Sequence, residues 1–369
     1  MQEDLVFKLA LKEADGVGGV LFRNLISHFG SAQKVLEAPA GLLEKTPGVG
    51  KGTVKKIKGS LDGLPEAQKL LKDCIKKGYS IISFQDEEYP ARFKGIYDAP
   101  PLLFYKGSSS LNYARTIGIV GTRKATEYGK AITEKIIAEL RDFNVTVISG
   151  LAYGIDIAAH KAAIKNEMAT LAVMAGGLDY IYPAAHKKYV NDIVKNGGLL
   201  SENRNENVPI GPQFIARNRI IAALSDVLLV VESASRGGGL VTAEYSNNYH
   251  RDVYAVPGNI GNPFSEGPNN LIKRNKAKIF TTVKSLVTDL NWDLDLEEFA
   301  QIQSPVLDLT KFTDDESRIL SILSEKGECL IDNLSFESNI PLNKLASLLL
   351  NLEFQDLVKA LPGKKFKLK

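Results

Sequence analysis

From Thr116 onward the chain alternates between short, continuous apolar runs and longer amphipathic stretches. The runs are TIGIV (116–120), VTVIS (145–149), ATLAVMA (169–175), GLLSE (198–202), DVLLVVE (226–232), DVYAVPG (252–258) and AKIF (277–280). Between them the pattern predicts helices running to Arg141, to Asn166, through Lys188–Lys195, over Phe214–Leu224, to His250 and near Leu271. Strands that are apolar without alternation are buried on both faces, so this stretch predicts an α/β fold with a mostly parallel, doubly wound sheet. Ligands of such sheets bind outside the carboxyl ends of the strands.

The flanking segments read differently. The first 65 residues are short helices joined by glycine turns, and LLEKTPGVGKGTVKKI (Leu42 to Ile57) has the pattern of a helix-hairpin-helix, with Gly16-Val-Gly-Gly19 as a degenerate partner. Such a turn points backbone amides at a phosphate, but it serves equally as a small helical packing module, and both readings stand. A nucleotide-binding GxxxxGK[ST] loop is absent because Lys51 is followed by Gly52. Strands are expected at Tyr79–Phe84 and Leu102–Tyr105, giving a sheet domain over 66–290. Residues 291–312 read as an acidic linker. From 313 to 369, an amphipathic helix, two helices of helix-turn-helix type and a lysine-rich hairpin resemble a winged helix, a module that contacts either DNA or protein.

Composition adds bounds. Hydrophobic residues make up 44% and charged residues 24% of the 369, values of a soluble globular protein of two to three domains. No run reaches the ~18 apolar residues of a membrane span, and acids stand where a signal peptide would be basic, so a cytoplasmic location is expected. Cys74 and Cys329 are expected to be reduced. The net charge of +3 is unevenly spread: residues 1–110 carry 16 basic against 13 acidic side chains, residues 111–290 carry 21 against 16, and residues 291–369 carry 9 against 14. An anionic partner is therefore expected on the first two segments.

The chemistry sits in the turns after the strands. Gly121-Thr122-Arg123, Ser149-Gly150, Gly176-Gly177 and the Gly237-Gly238-Gly239 turn bring small residues to the carboxyl edge, where backbone amides at helix starts bind anions. Arg123, Arg217 and Arg219 offer bidentate grips on phosphate, and Thr122 and Ser149 offer hydroxyls. Arg217 and Arg219 cannot share a helix face, so one is free for phosphate while the other makes an ion pair, with Glu202 or Glu232 as partners; Asn218 would fix either arrangement. Phe214 is either a stacking platform for a base or core. Asp156 and His160, four apart on a helix, would suit a metal but lack further ligands, so a structural hydrogen bond is the competing reading. Glu244 is either a carboxylate acting on a sugar or a helix-stabilising residue. His28, His186 and His250 are scattered. No cofactor or metal site is expected.

The blocks GTRKATEYG, SGLAYGIDIAAHKAA, LAVMAGGLDYIYP, GGLLSE, FIARNRIIAALSDVLLVVE, GGGLVTAE, RDVYAVPGNI and GPNNLI, in this order, resemble the DNA-processing protein A family (DprA, also called Smf). The resemblance implies an extended Rossmann-like core, a homodimer, single-stranded DNA binding and loading of the RecA recombinase in natural transformation, without enzymatic activity. Carried over by motif, the phosphate-binding residues are Gly121, Thr122, Arg123, Ser149, Gly150, Arg217, Asn218, Arg219, Gly237, Gly238 and Gly239, with Phe214 stacking on a base. The chain departs from the family pattern at Ile215, where proline is common, and at Gly238, where a hydroxyl is usual. A competing resemblance is to nucleoside-monophosphate phosphoribohydrolases, whose PGGxGTxxE corresponds to RGGGLVTAE here, with Arg236 in place of the proline.

Overall fold

A computed structural model describes residues 2–293, 312–355, 357–361 and 364–368. The chain divides into two compact units, Met1–Asp293 and Leu294–Lys369. Of the acidic linker expected over 291–312, residues 294–311 lie outside the described residues.

The larger unit opens with helices α1 (Gln2–Lys12), α2 (Gly19–Phe29), α3 (Ala32–Glu37), α4 (Ala40–Leu43), α5 (Lys51–Gly59) and α6 (Leu64–Lys76). The two glycine turns read from the sequence have matching geometry. Gly16 and Gly48 both take positive φ, +81° and +85°, which glycine adopts without a Cβ penalty. Val17 and Val49 follow as buried anchors, and α2 and α5 start after N-caps Gly18 and Gly50 with no side-chain cap.

A hairpin of β1 (Ser80–Ser83) and β2 (Leu102–Gly107) follows. The alternating part is β3 (Arg115–Val120), α7 (Glu127–Glu139), β4 (Val145–Ser149), α8 (Ile155–Lys165), β5 (Thr170–Val173), α9 (Val190–Asn196), β6 (Gly198–Ser201), α10 (Gly211–Leu224), β7 (Val227–Val230), α11 (Gly238–Asn248), β8 (Asp252–Ala255), α12 (Glu266–Lys273), β9 (Lys278–Ile279) and α13 (Val283–Asp289). The nine strands form one sheet in the order β1-β2-β6-β5-β4-β3-β7-β8-β9. The seven strands from β6 to β9 are parallel, and the hairpin adds an antiparallel edge.

The pleat sends alternate residues to opposite faces. Val227, Leu229 and Val231 join Ile117 and Ile119 under α7, α8 and α13, whereas Leu228 and Val230 join Val120 under α10, α11 and α12. The winding reverses between β3 and β7, which are neighbours although far apart in sequence. The chain leaves β3 for one face and β7 for the other, and a crevice opens at their carboxyl ends. The N-terminal helices share a core with the sheet: Leu11, Phe22 and Leu36 pack in one cluster with Phe104, Ala172 and Leu199.

The smaller unit is a winged helix: helices Asp314–Lys326, Ile331–Ser338 and Leu342–Phe354 pack on a sheet of strand order β10 (Glu328–Leu330), β12 (Lys365–Leu368), β11 (Val358–Leu361). Thr313 and Glu316 close a capping box at the first helix. Strand β10 was not legible in the sequence. Its three residues are too short to show a period, and they are a strand because β12 pairs with them. The last of the three helices carries one lysine and one glutamate and leaves Leu350 and Phe354 exposed. Cys74 and Cys329 are free thiols. Among the described residues no helix is long and apolar enough to cross a membrane.

Candidate functional site

Three loops meet over the crevice, and close backbone approach explains their glycines. Gly121 follows β3; a Cβ there would lie 2.5 Å from Ile155 and 2.8 Å from the Glu232 carbonyl. Gly154, before α8, takes φ +78°, and a Cβ would fall 2.1 Å from the Thr122 carbonyl. The Thr122 amide donates to the Glu232 carbonyl at 2.6 Å, and the Ile155 amide donates to the Thr122 carbonyl at 3.2 Å. The loop after β3 is thereby tied to those after β4 and β7. A Cβ on Gly239 would stand 3.5 Å from the Gly121 Cα, so the start of α11 abuts the same loop.

Beneath this surface lies a framework. Ser149 is fully buried and donates its hydroxyl to the Ile119 carbonyl at 2.6 Å. Arg217 is 6% exposed; its Nη1 donates to the Gly150 carbonyl at 2.7 Å and to the Val173 carbonyl, and its Nε donates to Asn218 Oδ1 at 3.2 Å. The guanidinium occupies the space a side chain on Gly150 would need. Burial pulls the Arg217 guanidinium below its ordinary pKa, and the Asp156 carboxylate opposes that shift. Burial likewise pushes Asp156 up, against the pull of Arg217. Arg219 lies elsewhere, paired with Glu202 and donating to the Asp98 carbonyl at 2.7 Å. Ser149, Arg217 and Arg219, expected as phosphate ligands, each have at least one donor engaged inside the protein. Of the two partners weighed for an arginine, Glu202 is the one used.

Glu232 has a different task. Its carboxylate accepts from the Thr126 amide at 2.9 Å and the Thr126 hydroxyl at 2.6 Å, and Thr126 in turn caps α7 at the Gly129 amide. The positive end of α7 is therefore neutralised from within. The Gly176-Gly177 turn is also closed: the Gly177 amide donates to the Asn207 carbonyl at 2.8 Å, and Cβ atoms on these glycines would strike residues 204–209. Expecting each glycine turn to present free amides was too broad, because side chains and neighbouring backbone consume some of them.

The start of α11 is different. Gly237 caps it without a side-chain bond, and no acid lies in its first turn. Gly238 is exposed with nothing within 4 Å of a built Cβ. The first amides of a helix have no partner within it and carry partial positive charge. Asn218 steadies this end by donating to the Gly238 carbonyl at 3.4 Å. The outer layer is completed by Thr122, whose Oγ1 accepts from the Lys124 amide at 3.2 Å and keeps its own hydrogen to donate, and by exposed Arg123. The Arg123 guanidinium lies over the Phe214 ring, 5.3 Å from its centroid, a cation–π contact. Phe214, half-buried, also meets Tyr182 edge-on at 5.4 Å between ring centroids and 65° between planes. Tyr182 is not among the residues singled out from the sequence; it stands with Tyr180 beyond the carboxyl end of β5.

The other candidates make the following contacts. His160 is fully buried and bonds to Thr170 Oγ1 at 2.7 Å, not to Asp156. Thr170 gives its own hydrogen to the Val147 carbonyl, so His160 Nδ1 carries the proton. Burial depresses the pKa of His160 to about 3. Among the described residues no cluster could hold a metal ion. Glu244 pairs with Lys276 at 2.7 Å on the exposed side of α11.

Residues 80–291 match the family model for DNA recombination-mediator protein A, and residues 304–364 match that of the DprA winged helix domain. The Smf protein of Synechocystis is 35% identical over 286 residues, 76% of this chain and 71% of that protein. Among solved structures, DNA processing protein A of Streptococcus pneumoniae is 31% identical with a TM-score of 0.67, over 78% of this chain and 98% of that one. The Helicobacter pylori protein, described for its single-stranded DNA binding mode, is 30% identical with a TM-score of 0.53, over 58% of this chain and 96% of that one.

Proposed function

The chain belongs to the DNA recombination-mediator protein A family, and from that premise we propose that it binds single-stranded DNA at the crevice between β3 and β7. The observation that carries the reading is the outer layer itself. The unneutralised start of α11, Arg123 and the Thr122 hydroxyl are donors suited to phosphate, and two aromatic rings stand beside them. Donors without a base-reading pattern bind a polynucleotide with little sequence preference. Arg217, Ser149 and Asn218 act underneath by holding the loops in place.

The protein is a binder and not an enzyme. Glu244, where the phosphoribohydrolase pattern has its carboxylate, is tied to Lys276, and Glu232 is tied to the start of α7. Bound DNA is protected and handed to RecA during natural transformation, in the cytoplasm, by a homodimer that needs no cofactor. Anisotropy of a labelled poly-dT oligonucleotide and of the matching duplex, at two salt concentrations, tests the first step. Tight, salt-sensitive binding of the single strand with weak duplex binding is expected. Equal or absent binding of both would remove the reading.

A further inference from the structure

We propose that the free edge of β1 is a docking site for an extended segment of a partner protein that carries lysine or arginine and joins the sheet as a further strand. The proposal does not rest on DNA binding. β1 ends the sheet and pairs on one side only, with β2. The Phe84 amide donates to the Pro101 carbonyl at 3.0 Å. By the alternation of the ladder, Ser80 and Ile82 then turn their main-chain groups toward β2, and Ile81 and Ser83 turn theirs outward. The outward groups of Ser83 are taken: its amide donates to Asp86 Oδ2 at 2.7 Å, and its carbonyl accepts from the Asp86 amide at 2.9 Å. Among the described residues nothing takes up the outward amide and carbonyl of Ile81. Free groups of this kind pair with an extended peptide. Natural edges are commonly blunted with lysine or proline, and β1, Ser-Ile-Ile-Ser, has neither.

The edge lines a groove of about 870 Å³. Leu5 of α1 borders it on the face of the sheet that holds Ile81, and Tyr105 and Leu111 border it on the face that holds Ile82. Charge selects the occupant. Four carboxylates, those of Asp4, Asp86, Glu87 and Glu88, line the groove against one cation, Lys8, which stands 3.5 Å from Asp4. Glu87 and Glu88 are exposed. A nucleic acid would meet these acids with like charge, and the same edge of a second copy would bring four more. A cationic strand is the complement: main-chain bonds hold it, and the acids choose its side chains. β1 stands five places from β3 in the sheet order, so a docked segment leaves the crevice free.

The probes are a labelled peptide of alternating lysine and valine, its counterpart with glutamate for lysine, and the lysine peptide N-methylated throughout. Their binding is compared in the full-length wild type, in Ile81→Pro, in Glu87→Lys with Glu88→Lys, and in Glu134→Lys with Glu139→Lys. The last pair reverses two exposed acids of α7 and controls for net charge. Proline at Ile81 removes only an outward amide, a place where edge strands tolerate it. Should that variant fail to fold, the methylated peptide tests the same bonds from the other side. The wild type is expected to prefer the lysine peptide to the glutamate one by about tenfold or more. Methylation, or Ile81→Pro, should cost about five- to tenfold, and the reversal at Glu87 and Glu88 about tenfold, with the α7 control unchanged. Equal binding of the methylated peptide, no preference for lysine, an equal loss in the α7 control, or no binding of any peptide would overturn the proposal. So would a wild-type mass in sedimentation that falls on reversal of Glu87 and Glu88, which would assign the edge to a second copy.

Discussion

The Arg123 guanidinium stands 5.3 Å from the centroid of the Phe214 ring, and this contact joins the loop after β3 to α10. Sequence places the two residues far apart, and the reversal of winding between β3 and β7 brings their elements together. The pairing gives Arg123, an exposed arginine of the crevice, a preferred direction that a solvated side chain would lack.

Arg123→Ala is therefore expected to weaken poly-dT binding and to lower the slope of log affinity against log salt by about 0.7, the value for one phosphate contact to a single strand. Phe214→Ala should release the arginine, and the two substitutions should couple by about 0.5–1 kcal/mol in a double-mutant cycle. Additive effects would mean that the ring does not hold the arginine.

Arg217→Ala should act on stability first. It leaves the Gly150 and Val173 carbonyls without their donor and Asp156 without its opposing charge. Leaving a buried acceptor without its donor costs about 1–3 kcal/mol, so urea denaturation at neutral pH should show a clear loss. A stable variant with a reduced salt slope would instead return Arg217 to direct phosphate contact.

Gly238→Asp should separate stability from binding. The position has room for a side chain and lies in the first turn of α11, where a carboxylate favours the helix by about 0.3–1 kcal/mol. The same carboxylate would occupy the anion site and repel phosphate, so DNA affinity should fall about tenfold or more. Thermal denaturation and anisotropy on one preparation check both halves. Retained affinity would exclude the start of α11 from the site.

His160 should give the fold an acid-sensitive element. Its folded pKa of about 3 lies below its ordinary value of 6.5. A depressed pKa means the unfolded chain binds the proton first. The contribution is full above pH 6.5 and is lost as pH falls toward the folded value, at about 1.4 kcal/mol per pH unit. Denaturation midpoints between pH 7 and pH 4 should decline in the wild type, and less so in His160→Gln. Equal slopes would show that His160 is not the group titrating.

The sequence by itself determined the class of fold, because strands buried on both faces must be apolar throughout and each is followed by a helical period. It also located the crevice loops, since glycines are needed where backbones approach as closely as Gly154 does to Thr122. Tertiary structure alone decided which of the polar residues there have bonds within the protein. Ser149, Arg217 and Glu232 have the same chemistry as free ligands, but Ile119, Gly150 and Thr126 take up their bonds. Those partners lie 30, 67 and 106 positions away, and no local pattern encodes contacts at such separations. The same distance hid Tyr182, whose ring meets Phe214 only because the loops after β5 and β6 converge over one edge of the sheet.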